Sequence, residues 1–156
     1  MSRTTKEFRI ELAKHFFHNL PMAGIGDAAG LQSSTASGSW WVSLHTEALG
    51  EDAHQNTSEA DYGGYARVAV PRNAAGWGVM EDVIGQVAGE VTNAVQILFP
   101  RCTSGSSTIT HIGIGTSASG QGKLHFFTQL AEPVSVEVTP GQAPVFEPGE
   151  VSWVVS

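Results

Sequence analysis

One cysteine, Cys102, is all that 156 residues provide. That excludes an intrachain disulfide and any thiolate cluster for zinc. Basic residues are also scarce: eight Lys and Arg stand against fifteen Asp and Glu, for a net charge of −7. Nucleic-acid binders concentrate cations against phosphates, and no such cluster exists here, so no nucleic-acid partner is expected. The densest basic stretch, Arg3, Lys6, Arg9 and Lys14, has the spacing of a helix's polar face. No apolar run reaches the roughly 18 residues that span a bilayer, so no membrane partner is expected. The N-terminus lacks an uninterrupted apolar segment with a small-residue cleavage site, and no signal peptide is predicted. These lacks together predict a soluble chain made in a reducing cytoplasm. Charged residues are only 15% of the chain; the surface must therefore be dressed with Ser, Thr, Asn, Gln and Gly.

What is present argues for a folded domain. Four Trp, seven Phe and two Tyr supply bulky apolar surface, which disordered chains lack. A single domain of this length buries on the order of 70% of its unfolded surface. Eighteen Gly and seven Pro favour turns over long helices.

The first twenty residues carry the one helical pattern, predicted over roughly residues 5–20. Thr4 or Thr5 can cap it, Phe8, Leu12, Phe16 and Leu20 recur every fourth residue, and Ile10, Ala13 and Phe17 widen the stripe. Residues 22–39 are Gly, Ala, Ser and Thr with little apolar content, which reads as a flexible linker. From residue 40 onward the period is two. Candidate strands are 40–46, 65–71, 79–87 (strand or irregular), 94–99, 108–115, 123–130, 134–138, 145–146 and 151–155, with 49–62 a polar loop. About eight short strands joined by Gly, Pro and Ser turns predict an all-β fold, an antiparallel β-sandwich of jelly-roll type. The domain reading is a helical arm over 1–21, a linker over 22–39 and the β-sandwich over 40–156. The expected core is Trp40, Val42, Leu44, Val68, Val70, Ile97, Phe99, Ile112, Ile114, Leu124, Phe126, Val136, Val138 and Trp153. A one-residue slip of register inverts a face, so about two-thirds of these are expected to be buried.

No constellation meets the spacing that chemistry demands. Residues 113–123 (GIGTSASGQGK) hint at a phosphate loop, but Leu124 stands where a hydroxyl must follow the lysine, and no helix follows. A hairpin turn is the plainer reading. Among the histidines, only His15 and His18 have the spacing of paired ligands on one helix face. A partly exposed helix edge is the favoured reading of them. His45, Glu47, Asp52 and His54 share a loop composition common to solvated loops, and His111 and His125 sit inside strands. No Gly-x-Ser-x-Gly elbow exists, Cys102 beside Arg101 reads as an inert thiol, and Glu51-Asp52 and Glu81-Asp82 would point opposite ways on a strand. The reading is therefore no catalytic residue, no metal and no cofactor.

The order of segments carries a resemblance. WWVSLHTEALG (40–50), EADYGGYARVAV (59–70), the lone Trp77, NAVQILFP (93–100), TITHIGIG (108–115), the glycine-rich turn at 117–122 and KLHFFTQL (123–130) follow in sequence. Pro133 and residues 144–155 close the series. This resembles a family of small tailed-bacteriophage virion proteins commonly labelled tail-fibre proteins. The likeness is weakest over 22–39, and Gly115 stands where a bulkier residue is common. The resemblance implies a non-enzymatic virion component, synthesised in the host cytoplasm, whose partners are its own copies and capsid or tail proteins of the same phage.

Three readings follow. A globule of this size, about 40 Å across and without heptads or repeats, suits a capsid decoration (cement) protein better than a fibre shaft. That is the leading expectation, as a homo-oligomer, with a trimer favoured by the threefold sites of capsid lattices. The alternative is a tail-fibre or receptor-binding tail component, and behind it stands a ligand-binding or enzymatic jelly roll. Phe8, Leu12, Phe16, Phe17 and Leu20 are the expected interface residues. Burying each such side chain is worth about 1.5–3 kcal/mol, so that stripe is expected to pack on the body or on a neighbour.

Overall fold

A computed structural model describes residues 3–155. Among these residues one helix, α1 (Lys6–His18), precedes eleven short strands. They are β1 (Ser39–His45), β2 (Val68–Pro71), β3 (Trp77–Val79), β4 (Glu90–Asn93), β5 (Ile97–Leu98), β6 (Ser107–Ile109), β7 (His111–Gly115), β8 (Leu124–Gln129), β9 (Val136–Val138), β10 (Val145–Phe146) and β11 (Ser152–Val154). The fold is mostly β, with antiparallel pairing and a single helix, as the sequence predicts. The described residues form eleven strands rather than about eight.

The chain forms two compact units. The first comprises residues 1–38, 71–96 and 147–156 and holds α1 and the sheet β11-β4-β3. Thr5 caps α1, its Oγ1 accepting from the Phe8 amide at 3.3 Å. The helix stops at Asn19, which adopts the left-handed conformation at φ 56°. The predicted end near residue 20 is therefore about two residues late, because Asn tolerates the αL cap that ends a helix. Phe17 and Ala13 are buried, and Phe17 meets Trp77 edge-on at 5.2 Å between ring centroids. Trp77 in turn meets Trp153 edge-on at 5.8 Å. Met22 and Leu31 bridge back to one another, and Met22 is buried. Asn93 knits this unit from inside: its Nδ2 donates to Val95 O (2.9 Å) and Glu147 O (2.8 Å), and its Oδ1 accepts from the Val151 amide (3.0 Å).

The second unit comprises residues 39–70 and 97–146. Its main sheet runs β2-β1-β7-β8, beside the two-stranded pairs β10-β5 and β6-β9. In β1·β7 the register sets Val42 against Ile114, Leu44 against Ile112, and Ser43 against Gly113. The predicted strand 108–115 is two strands. Thr110 breaks it: its amide donates to His45 O, while Ile109 lies in β6 opposite Val136 on β9. Ten of the fourteen expected core residues are buried. Val68, Leu124, Phe126 and Val136 are half-buried instead. The first three lie on β2 and β8, the two ends of the sheet, where only one side has a neighbouring strand.

Candidate interaction surface and buried polar centre

The helix carries the residues that the sequence singled out. Phe17 is turned fully inward, Leu12 and Phe16 are half-buried, and Phe8 and Leu20 are exposed at 37% and 46%. The apolar stripe is thus divided between the core of the first unit and its surface. Polar contacts fix the helix there. Lys6 pairs with Asp82 at 2.7 Å and Lys14 with Glu81, both on the long loop between β3 and β4. These pairs are exposed and contribute little each. Arg9 Nε donates to Ala88 O at 3.2 Å, and a side chain at Gly89 would collide with the Arg9 backbone. At the other end, Arg72 donates from Nε to Phe16 O (2.6 Å) and from Nη2 to His15 O (2.9 Å). A cation on the last carbonyls offsets the negative end of the helix dipole. His15 and His18 each spend one ring nitrogen on a carbonyl, Leu20 O and Trp77 O, both at 2.7 Å. Beside the helix, the same loop exposes Val83, Ile84 and Val87, with Ile84 wholly in solvent. Phe8, Leu20 and these three form the exposed apolar residues of this helix and loop.

The second unit contains a buried polar centre that sequence reasoning missed. Arg67 and Glu59 form a bidentate pair, Nε to Oε1 at 2.7 Å and Nη2 to Oε2 at 2.8 Å. The Arg67 side chain is 2% exposed and that of Glu59 is 16% exposed. The guanidinium also donates to Ser117 O (2.9 Å) and Gly120 O (2.5 Å). Tyr65 Oη donates to Glu59 Oε1 at 2.8 Å and accepts from the Leu44 amide at 3.1 Å. Donation to the Glu59 carboxylate holds the Arg67 pKa above its ordinary value, and burial drives that of the Tyr65 phenol upward. Gln55, fully buried, donates to Trp41 O (3.1 Å) and accepts from the Ser117 amide (2.8 Å). A side chain at Gly115 would overlap Gln55, so this glycine is required for close approach.

These contacts decide the character of residues 113–123. A phosphate loop aims its amides at an anion. Here the Ser117 amide is committed to Gln55, while the Ser117 and Gly120 carbonyls face a cation. It is a turn stapled to the sheet by Arg67 and Gln55.

Ser43 and His45 come together in a way their spacing alone did not announce. Ser43 Oγ lies 2.8 Å from His45 Nε2, and His45 Nδ1 lies 2.8 Å from Thr57 O. Since a carbonyl only accepts, Nδ1 carries the proton and Nε2 accepts from the serine. That is the arrangement of a nucleophile with its base. Both residues are 0% exposed, however, and a Cβ at Gly113 would meet Leu124 Cδ1 at 2.6 Å and His45 Nε2 at 2.9 Å. No substrate atom reaches this pair in the folded chain. Burial lowers the His45 pKa, against the Thr57 carbonyl, which raises it.

The other candidates stay apart. His54 and Asp52 are exposed, Glu47 accepts from Ser58 Oγ, and His111 Nδ1 contacts Thr110 Oγ1. No group of three metal-ligating side chains forms among the described residues. Cys102 is buried with Sγ near Ser104 O and Gly105 O. Among the described residues no helix is long and apolar enough to cross a membrane.

The family described as Podophage GP4 fiber I protein gp80 matches residues 24–153. No curated protein matches the chain.

Proposed function

The chain belongs to the Podophage GP4 fiber I protein gp80 family, and on that premise we propose that it is a non-enzymatic component of a phage tail fibre. The observation that carries this reading is the family match over residues 24–153, which takes in the second unit and the sheet of the first, though not the helix α1. It favours the tail-fibre alternative over the capsid-decoration reading that the chain's size and lack of repeats suggested. A compact chain without heptads serves a fibre as a joint, collar or tip rather than as the shaft. The sealed Ser43–His45 pair supports a structural role, because the nearest approach to a catalytic arrangement has no access. Partners are then other virion proteins of the same phage and further copies of this chain. The expectation of three copies was tied to capsid threefold sites, and a fibre position sets no such number.

Copies per particle test the location. Quantitative mass spectrometry of purified virions should find a few to a few dozen copies. Hundreds of copies would return the protein to the capsid lattice.

A further inference from the structure

The sheet β2-β1-β7-β8 has two edges, and they are built differently. β2 is four residues long and ends on Pro71, which has no N–H to offer. Short strands and proline are the usual protection of a sheet edge. β8 has neither. It is six residues long, LHFFTQ, with no proline and no Asp, Glu, Lys or Arg. Its exposed face bears His125, Phe127 and Gln129, with Phe127 exposed at 40%. The Leu130 amide donates to Thr110 O at 2.9 Å. Ladder alternation therefore turns Phe126 and Thr128 toward β7, and the Phe127 and Gln129 backbone groups toward the open edge.

We infer that β8 is a self-pairing edge, through which two copies of this chain join antiparallel about a two-fold axis centred on Phe127. The Phe127 amide and carbonyl and the Gln129 amide have no strand beside them, and the Gln129 carbonyl meets only the Thr128 hydroxyl at 3.4 Å, so the edge calls for an extended strand. Charge selects which one. A chain of net charge −7 repels its own copy, so two copies must meet across an uncharged strip, and β8 is one. The register is also self-complementary, as a two-fold contact requires. Phe127 faces its own equivalent, Phe126 faces Thr128, and His125 faces Gln129 at each rim. Aromatic pairs across strands favour that register. The remaining edge strands, β3 and β11 of the first unit and the two-stranded pairs of the second, are two or three residues long and offer no comparable row.

Analytical ultracentrifugation of the full chain tests this. The wild-type chain should sediment at twice its 16.5 kDa mass. Phe127→Lys and Phe127→Glu, each placing like charges on the axis, should sediment at the single-chain mass, and mixing the two variants should restore the doubled mass. Far-UV circular dichroism identifies a variant that fails to fold. In that case hydrogen exchange of the wild-type chain decides: the Phe127 and Gln129 amides should gain protection as concentration rises. A wild-type chain that stays single, a doubled mass that survives F127K, a mixture that stays single, or concentration-independent exchange at these amides would each overturn the inference. A foreign strand on this edge would give the first of these results.

Discussion

Arg67→Met tests whether the buried centre holds the second unit together. Methionine keeps much of the stem's volume and removes the cation. Glu59 then stays in place with its bidentate partner gone, retaining only Tyr65 and its 16% exposure. Breaking one side of a buried pair costs roughly 3–5 kcal/mol, and the residual exposure of Glu59 sets the lower end, about 3 kcal/mol. The Ser117 and Gly120 carbonyls also lose their donor. They lie on a surface turn that water reaches, so each adds about 0.5 kcal/mol, the low end for a hydrogen bond. The sum, about 4 kcal/mol, corresponds to a fall in Tm of roughly 8–16 °C for a chain of this size. Thermal melts followed by circular dichroism measure it. The double variant Glu59→Gln/Arg67→Met should recover at least ~1 kcal/mol, because it no longer buries an unpaired charge. A shift under roughly 2 °C for the single variant, or a double variant less stable than the single one, would refute the reasoning.

Two further outcomes follow from the polar core. His45 has a folded pKa below its ordinary value of about 6.5, so the unfolded chain takes up its proton first as pH falls. Its contribution is complete above about pH 6.5 and is lost progressively below it; urea midpoints measured from about pH 7.5 to about pH 5 should fall, and His45→Gln should flatten that fall. Asn93→Ala leaves the buried Val151 amide and the half-buried Val95 carbonyl without partners in the first unit, while the Glu147 carbonyl keeps the Glu150 amide. It should cost about 3 kcal/mol, read as a lower urea midpoint at unchanged slope.

The parts of the fold legible in the sequence were those with a long period or a strong stop. α1 was visible because Phe8, Leu12, Phe16 and Leu20 repeat and a threonine precedes them. Glu90–Asn93 was missed because four half-polar residues carry no measurable alternation, although their strand is central to its sheet. The break at Thr110 did leave a sign: Ile109 and Ile112 have opposite parity and cannot share one face of a continuous strand. The polar centre was missed, although the sequence holds one sign of it. In YARVAV, Arg67 interrupts an otherwise apolar strand-like run, which marks a buried or bridging cation. Its partner Glu59, and the plug Gln55, lie in a segment whose composition reads as a solvated loop. Only the chain path between them reveals the pairing, and no local pattern encodes it. The close approach at Gly113 and Gly115 was readable from the glycines, but the identity of what approaches was not.

The first unit draws together the two extremes of the described chain. α1 is complete by His18, yet Phe17 rests on Trp77, and Trp77 rests on Trp153. During synthesis the helix therefore waits for partners that emerge much later. Roughly 135 residues separate His18 from Trp153, which at about 5–20 residues per second means about 7–27 s on the ribosome. A helix of 13 residues is marginal in water by itself. Throughout that interval the first unit lacks β11, while the whole second unit, bounded by residues 39 and 146, already has its sequence. The order of completion is thus inverted relative to the order of translation: the unit whose first segment is made first is the last to receive all its strands.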